Sequence, residues 1–250
     1  MTQRPLIGIV GEIVEDPRAV RLPLRYAEAV ERAGGVPFAV LQLPGDAYRE
    51  SLLQAADGFL FAGGDDFDTE SLGLGPTHRE AKPVPREKQE FDLELARGAL
   101  ATGVPVLGIC YGMQCLGLAE GARIHQHIPA DRPGSRPHSG GVIHAVEIEP
   151  GTKLAALVGV GTLDVVSRHH QALASMGPRW TVAGRDDEGL IEACERADHP
   201  FALGVQWHPE LSPGSAAQEA LFRGLVEAAS TRRRAGRSKE GTAAREALAR

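Results

Sequence analysis

The segment Val104-Pro-Val-Leu-Gly-Ile-Cys-Tyr-Gly-Met-Gln sets a cysteine where an apolar run passes into a helical pattern. Gly108 and Gly112 stand two residues either side of Cys110. That is the G-x-nucleophile-x-G arrangement of a strand-to-helix elbow, with a thiol in the serine's place. Flanking side chains would collide with so tight a turn, which is why glycine is needed. A helix N-terminus and a nearby imidazolium would both favour the thiolate. The Tyr111 N–H, in the first helical turn, has no intrahelical acceptor and can face a developing oxyanion. A buried structural cysteine in a glycine-rich turn fits the same pattern. Cys115, within the following helix, and Cys194, in a strand, read as core thiols.

A cysteine nucleophile needs a base, and the base needs a group that fixes its tautomer. Of nine histidines, His208 is the best placed. It ends the apolar run Phe201-Ala-Leu-Gly-Val-Gln-Trp, and Glu210 follows across Pro209. In an extended chain, residues two apart point the same way. Proline keeps its predecessor out of the helical region. Glu210 can therefore bond one ring nitrogen of His208 and leave the other for Cys110. A surface His-Pro-Glu turn is the plainer alternative. A second oxyanion donor is expected at Gly63-Gly64, where the run Asp57-Gly-Phe-Leu-Phe-Ala stops. Asp65, Asp66 and Asp68 follow it and would repel phosphate, but they suit a substrate ammonium group.

The elements that must hold these residues alternate. Strands are predicted at 6–10, 36–41, 57–62 and 104–109, and helices at 23–34, 51–56 and 87–101. Strands that are apolar throughout, separated by helices, imply a mostly parallel sheet covered on both faces. Residues 141–149, 181–183, 189–195 and 201–207 read as further strands, the last two a hairpin joined by the turn 196–200. The later half is thus an antiparallel extension. A helix at 219–229 with Leu221, Phe222, Leu225 and Val226 as its stripe closes the domain. Two Pro-rich loops, 75–86 and 129–138, are expected to border a cleft.

The chain has 250 residues and a formal charge of −6. Residues 231–250 carry seven Lys/Arg and two Glu, leaving −11 on residues 1–230. An acidic body argues against nucleic acid, whose phosphates need clustered cations. The expected organisation is one domain over 1–230 and a basic, solvated extension over 231–250. No apolar run approaches the roughly 20 residues of a membrane span. No signal pattern precedes Pro5, and three cysteines make no disulfide framework. The expectation is a reduced, cytoplasmic protein. His125, His127, His138 and His144 match no closed zinc spacing, so no metal is expected.

Taken together, Gly-Ile-Cys110-Tyr-Gly-Met-Gln, His208-Pro-Glu210 and Gly63-Gly64 resemble the class I glutamine amidotransferase superfamily over residues 5–229. Within it the chain looks most like the γ-glutamyl-γ-aminobutyrate hydrolase family. The segments that carry this are Tyr26-Ala-Glu-Ala-Val-Glu-Arg-Ala-Gly-Gly-Val-Pro, Ser167-Arg-His169-His170-Gln171, Asp186-Asp-Glu-Gly-Leu-Ile-Glu-Ala and Pro200-Phe-Ala-Leu-Gly-Val-Gln-Trp-His-Pro-Glu. It departs at Tyr111 (Arg in the family), at Val166 and Gly117 (Asn in the family) and in lacking a proline after Gly63-Gly64. The resemblance places these positions around the far side of the substrate pocket.

The resemblance implies an α/β fold, a flavodoxin-like three-layer sandwich with a mostly parallel central sheet and an antiparallel extension. It implies a cysteine-dependent hydrolase that cleaves a γ-glutamyl amide through a thioester. Cys110, His208 and Glu210 would be catalytic, and Gly64 and Tyr111 the oxyanion donors. Gly63, Gln114 and His169 would bind substrate. No cofactor is implied. The partner is a small γ-glutamyl substrate, with no nucleic acid or membrane and with homo-oligomers allowed. One alternative is a glutaminase subunit that supplies ammonia to a separate synthetase, suggested by Tyr111 after the nucleophile. The other is a non-catalytic binding protein on the same fold.

Overall fold

The apolar runs become the middle of one nine-stranded sheet. The structure, a computed structural model, describes residues 3–15 and 18–248. The chain opens with β1 (Leu6–Val10), a hairpin of β2 (Glu12–Glu15) and β3 (Arg18–Arg21), α1 (Leu24–Arg32) and β4 (Val36–Val40). Next come α2 (Asp46–Ala55), β5 (Gly58–Phe61), α3 (Arg86–Thr102), β6 (Val106–Ile109), α4 (Tyr111–Ala119), β7 (Arg123–His125) and α5 (Ile128–Asp131). The second half comprises β8 (Val142–Ile148), α6 (Lys153–Val158), β9 (Gly161–Ser167), β10 (Ala172–Ser175), β11 (Thr181–Asp186), β12 (Ile191–Glu195) and β13 (Ala202–Val205). A 3-10 turn at Pro209–Leu211 leads into α7 (Ala216–Leu248).

The sheet order is β4-β1-β5-β6-β13-β12-β11-β8-β9. It is parallel from β4 through β13 and antiparallel from there to β9. Every residue of β5 and of β6 is buried, because helices cover both faces. Alternate side chains serve opposite cores. Phe59 and Phe61 pack with Leu95 and Leu116 on the α3/α4 side. Leu60 and Leu107 pack with Val30, Leu221 and Leu225 on the α1/α7 side. This is the flavodoxin-like three-layer sandwich with an antiparallel extension.

Some boundaries differ from the sequence reading. The helix expected at 51–56 starts at Asp46. Gly45, at φ 111°, turns the chain there, and Tyr48 packs against Phe91 of α3. The strand expected at 181–183 runs on to Asp186, held by β12 and β8 on either side. The β2–β3 and β7–β10 pairs are too short to declare themselves in the sequence. The closing helix α7 runs past 230 into the basic stretch, to Leu248. Arg233 turns back to donate to Asp57 at 2.7 Å. The side chains from 237 onward, including Arg237, Lys239, Arg245 and Arg250, lie outside the described residues. No helix among the described residues is long and apolar enough to cross a membrane.

Candidate active site

Cys110 stands between β6 and α4 with φ 53° and ψ −109°. Among the described residues it is the one non-glycine with a positive φ. Such a backbone costs about 1–3 kcal/mol and persists only where its surroundings enforce it. Here they do. The Cys110 N–H donates to Val205 O at 2.8 Å, and Cys110 O accepts from Gln114 N at 3.1 Å. The flanking glycines are dictated by backbone: a Cβ on Gly112 would lie 2.0 Å from Phe61 O, and one on Gly108 would lie 2.6 Å from Gly112 C. The thiol is delivered to the C-terminal edge of the parallel strands, where open α/β sheets place their ligands.

His208 follows β13, the neighbour of β6 in the sheet. Trp207 anchors it from below, fully buried and donating through Nε1 to Gln218 Oε1 at 2.8 Å. His208 Nδ1–H donates to Glu210 Oε1 at 2.7 Å. The backbone between them is not extended, as the sequence reading assumed. Pro209–Leu211 is a 3-10 turn that folds the carboxylate back onto the ring. With Nδ1 committed, Nε2 is left for Cys110, with which the ring is in hydrogen-bond contact. Burial pulls the imidazole toward neutrality. The attraction and hydrogen bond of Cys110, with those of Glu210, outweigh it and push the His208 pKa up to about 10.

The two glycines after β5 do different things. The Gly63 N–H donates to the Tyr26 hydroxyl at 3.2 Å, and a Cβ there would come within 2.9 Å of His208 Cε1. Gly63 therefore makes room for the imidazole and is not among the residues lining the cavity. Gly64 sits over Tyr111, 3.5 Å from its Cγ to an added Cβ. Gly64, Cys110 and Tyr111 line a cavity of about 440 Å³. The Tyr111 ring packs inward, stacked on Phe67 with centroids 4.3 Å apart and with Lys88 Nζ 4.7 Å from its centre.

The rest of that cavity carries both signs of charge: Asp65, Asp66 and Glu80 against Lys82 and Arg168. Of the three acids that the sequence offers to an ammonium group, Asp66 is occupied. Its Oδ2 accepts from Lys82 N at 2.7 Å and from His170 Nε2 at 2.8 Å. Asp68 turns aside to Thr77. Asp65 remains, its pKa raised by burial and then by Glu12 and Asp66. Gln114 lines the cavity, but its Nε2 donates to Gln171 O and Gln206 Oε1, each at 3.1 Å. Only its carbonyl is left to offer. His169 also lines the cavity; its Nδ1–H donates to Gln171 O at 2.9 Å. Burial drives the His169 pKa down to about 3, so the ring is neutral.

A family model for peptidase C26 matches residues 5–210. The chain belongs to the peptidase C26 family. A Mycobacterium tuberculosis protein provisionally named a glutamine amidotransferase is 38% identical over 240 residues, 91% of this chain and 75% of that one. The γ-glutamyl-γ-aminobutyrate hydrolase of Escherichia coli K12 is 30% identical over 240 residues, 90% of this chain and 93% of that one. A solved Thermoplasma acidophilum protein, provisionally described as a GMP synthase subunit, superposes with a TM-score of 0.69. The match covers 95% of this chain and 100% of that one at 16% identity, a likeness of fold.

In this peptidase C26 chain, two departures expected around the pocket, Gly117 and Val166, are not among the residues lining the cavity. Gly117 is in the core, where an added Cβ would meet Leu173 Cδ1 at 2.7 Å. Val166 uses its carbonyl to accept from His208 N at 3.0 Å. Cys115 and Cys194 are fully buried thiols whose pKa burial raises. Sequence reasoning missed Lys82, Arg168 and Tyr26, the last of which lies beside Glu210 as well as Gly63. Lys82 and Arg168 are ordinary charged residues brought in by loops folding over the sheet edge, whereas Tyr26 is a buried residue of α1. A larger cavity of about 740 Å³ lies by Asp57, Gly103 and Arg232, at the opposite edge of the parallel strands. Among the described residues its lining has no cysteine, serine or histidine.

Proposed function

We propose that the protein hydrolyses the amide bond of a small γ-glutamyl amine, such as γ-glutamyl-γ-aminobutyrate, through a γ-glutamyl thioester on Cys110. The observation that carries this reading is the strained cysteine elbow facing an imidazole that Glu210 holds in one tautomer. Cys110 Sγ attacks the γ-carbonyl carbon, and the C–S bond forms. The oxyanion is received by the N–H groups of Gly64 and Tyr111, one such donor being worth about 3–4 kcal/mol. His208 gives its proton to the leaving nitrogen, the C–N bond breaks, and the amine departs. Water then loses a proton to His208 as its oxygen attacks the thioester. The C–S bond breaks, glutamate leaves, and the thiolate–imidazolium pair returns. Asp65 and, of opposite charge, Lys82 and Arg168 line the cavity and suit the ammonium and carboxylate of a glutamyl group. This chemistry asks for no metal or organic cofactor.

The test is glutamate release by the isolated protein from glutamine, γ-glutamyl-γ-aminobutyrate and other γ-glutamyl amines. Release from a γ-glutamyl amine, lost in Cys110→Ala, is the expected result. Release from glutamine alone would favour the ammonia-supplying alternative, for which Tyr111 after the nucleophile speaks. A folded protein that releases glutamate from none of them overturns the stand-alone hydrolase.

A further inference from the structure

Four buried side chains that the thiol chemistry does not use converge beside the cavity. His138 comes from the loop before β8, His144 from β8, His169 from the loop after β9 and Glu192 from β12. None is more than 5% exposed. Glu192 Oε1 lies 3.5 Å from His169 Nε2, 3.7 Å from His138 Nδ1 and 3.8 Å from His144 Nε2. These separations are too long for N–H···O hydrogen bonds, which close at about 2.7–3.2 Å. They approach the roughly 3.3 Å between neighbouring ligands of a tetrahedral zinc ion with bonds of about 2.0–2.1 Å. One potential ligand atom from each of the four residues can be chosen so that all lie within 4.8 Å of one another. We propose that His138, His144, His169 and Glu192 bind one divalent transition-metal ion, zinc by the preference of three imidazoles and a carboxylate.

Two further observations support a cation over a simple polar core. First, the atoms that would ligate have no hydrogen-bond partner among the described residues: His138 Nδ1, His144 Nε2, His169 Nε2 and both Glu192 oxygens. Buried polar atoms are rarely left so, and here five gather at one point. Second, two of the three outer ring nitrogens are hydrogen-bonded as metal-binding histidines require. His169 Nδ1–H donates to Gln171 O at 2.9 Å, and His144 Nδ1–H to Ala145 O at 3.2 Å. His138 Nε2 lies 3.4 Å from Asp186 Oδ2, whose other oxygen accepts from Glu188 N and Leu190 N. The two hydrogen bonds leave the lone pairs of His144 and His169 at Nε2 facing the centre, while His138 has neither ring nitrogen hydrogen-bonded. The ion would tie two loops to two strands and fix the cavity wall that His169 forms. Of the histidines weighed from sequence, His138 and His144 belong to this cluster. His127 pairs with His170 instead, and the carboxylate comes from a strand that reads as plain core.

The test uses the full chain, stripped with a chelator, reloaded with zinc, dialysed and assayed by elemental analysis. About one zinc per chain is expected in the wild type and equally in Cys110→Ser. The double variant H144N/E192Q should hold zinc at least roughly 100-fold more weakly. Should that variant fail to fold, cobalt(II) loading of the wild type decides. Four-coordinate d–d bands without a thiolate charge-transfer band support the site. The proposal is overturned if the wild type retains no zinc, if Cys110→Ser loses it, if the folded double variant keeps it undiminished, or if the cobalt spectrum shows a thiolate ligand.

Discussion

His208 is held by two opposite neighbours, Cys110, which it activates in the proposed reaction, and Glu210, which aims it. Its pKa of about 10, raised from 6.5, gives the sign of its pH dependence. Protonated His208 contributes stability in full below about 6.5, and that contribution is lost as pH rises through about 10. In the proposed reaction the imidazolium is also the acid for the leaving amine, so activity is expected to fall over the same alkaline limb. Glu210→Gln removes one of the groups that raise it. The limb should move toward the ordinary imidazole range, and kcat should fall by on the order of 10²–10⁴. A pH–rate profile together with an NMR titration of His208 checks this. A limb that stays in place would show that Glu210 does not set the ring's charge.

The elbow acts as an element, because its geometry is imposed by β5 and α4 together. An added methyl at Gly112 would meet Phe61 O, a backbone atom that cannot turn away. Gly112→Ala should cost about 2–3 kcal/mol, or roughly 4–12 °C in Tm, and should abolish glutamate release. Gly117→Ala, on the same helix, meets the end of Leu173 at 2.7 Å and, less closely, Ala122 Cβ at 3.2 Å. A leucine tip can rotate, so this change should cost about 1 kcal/mol or less and leave release intact. Thermal melts and the release assay on both variants read the contrast. Equal losses would mean that helix propensity, not the turn, governs the segment.

Across the whole molecule, α7 ties the far edge of the sheet. Asp57 Oδ2 accepts from Leu6 N and from Arg233 Nη1, both at 2.7 Å. One carboxylate thus joins the residue before β5, the start of β1 and the closing helix. Arg233→Ala should lower stability by about 1–2 kcal/mol in chemical denaturation. Release should persist, since Asp57 precedes β5 while Cys110 follows β6 at the opposite end of the strands. Loss of activity at full stability would mean that α7 reaches the site by another route.

The sequence by itself determined what is local. The apolar runs and the glycines around Cys110 each specify backbone over a few residues, and short-range sterics suffice to read them, whereas the His-Pro-Glu step folds as a 3-10 turn and not as the extended chain it suggests. The parallel strands and the elbow at Cys110 were legible for that reason. What only the tertiary structure decided is which distant segments meet. The sheet order sets β13 against β6 and so brings His208 to Cys110. Tyr26 takes the Gly63 N–H and leaves Gly64 facing the cavity. His170 occupies Asp66, sparing Asp65. His138, His144, His169 and Glu192 come from four segments with no shared spacing, joined only because β12, β11, β8 and β9 lie side by side. Contacts of that kind depend on strand order and loop closure, and no period along the chain records them.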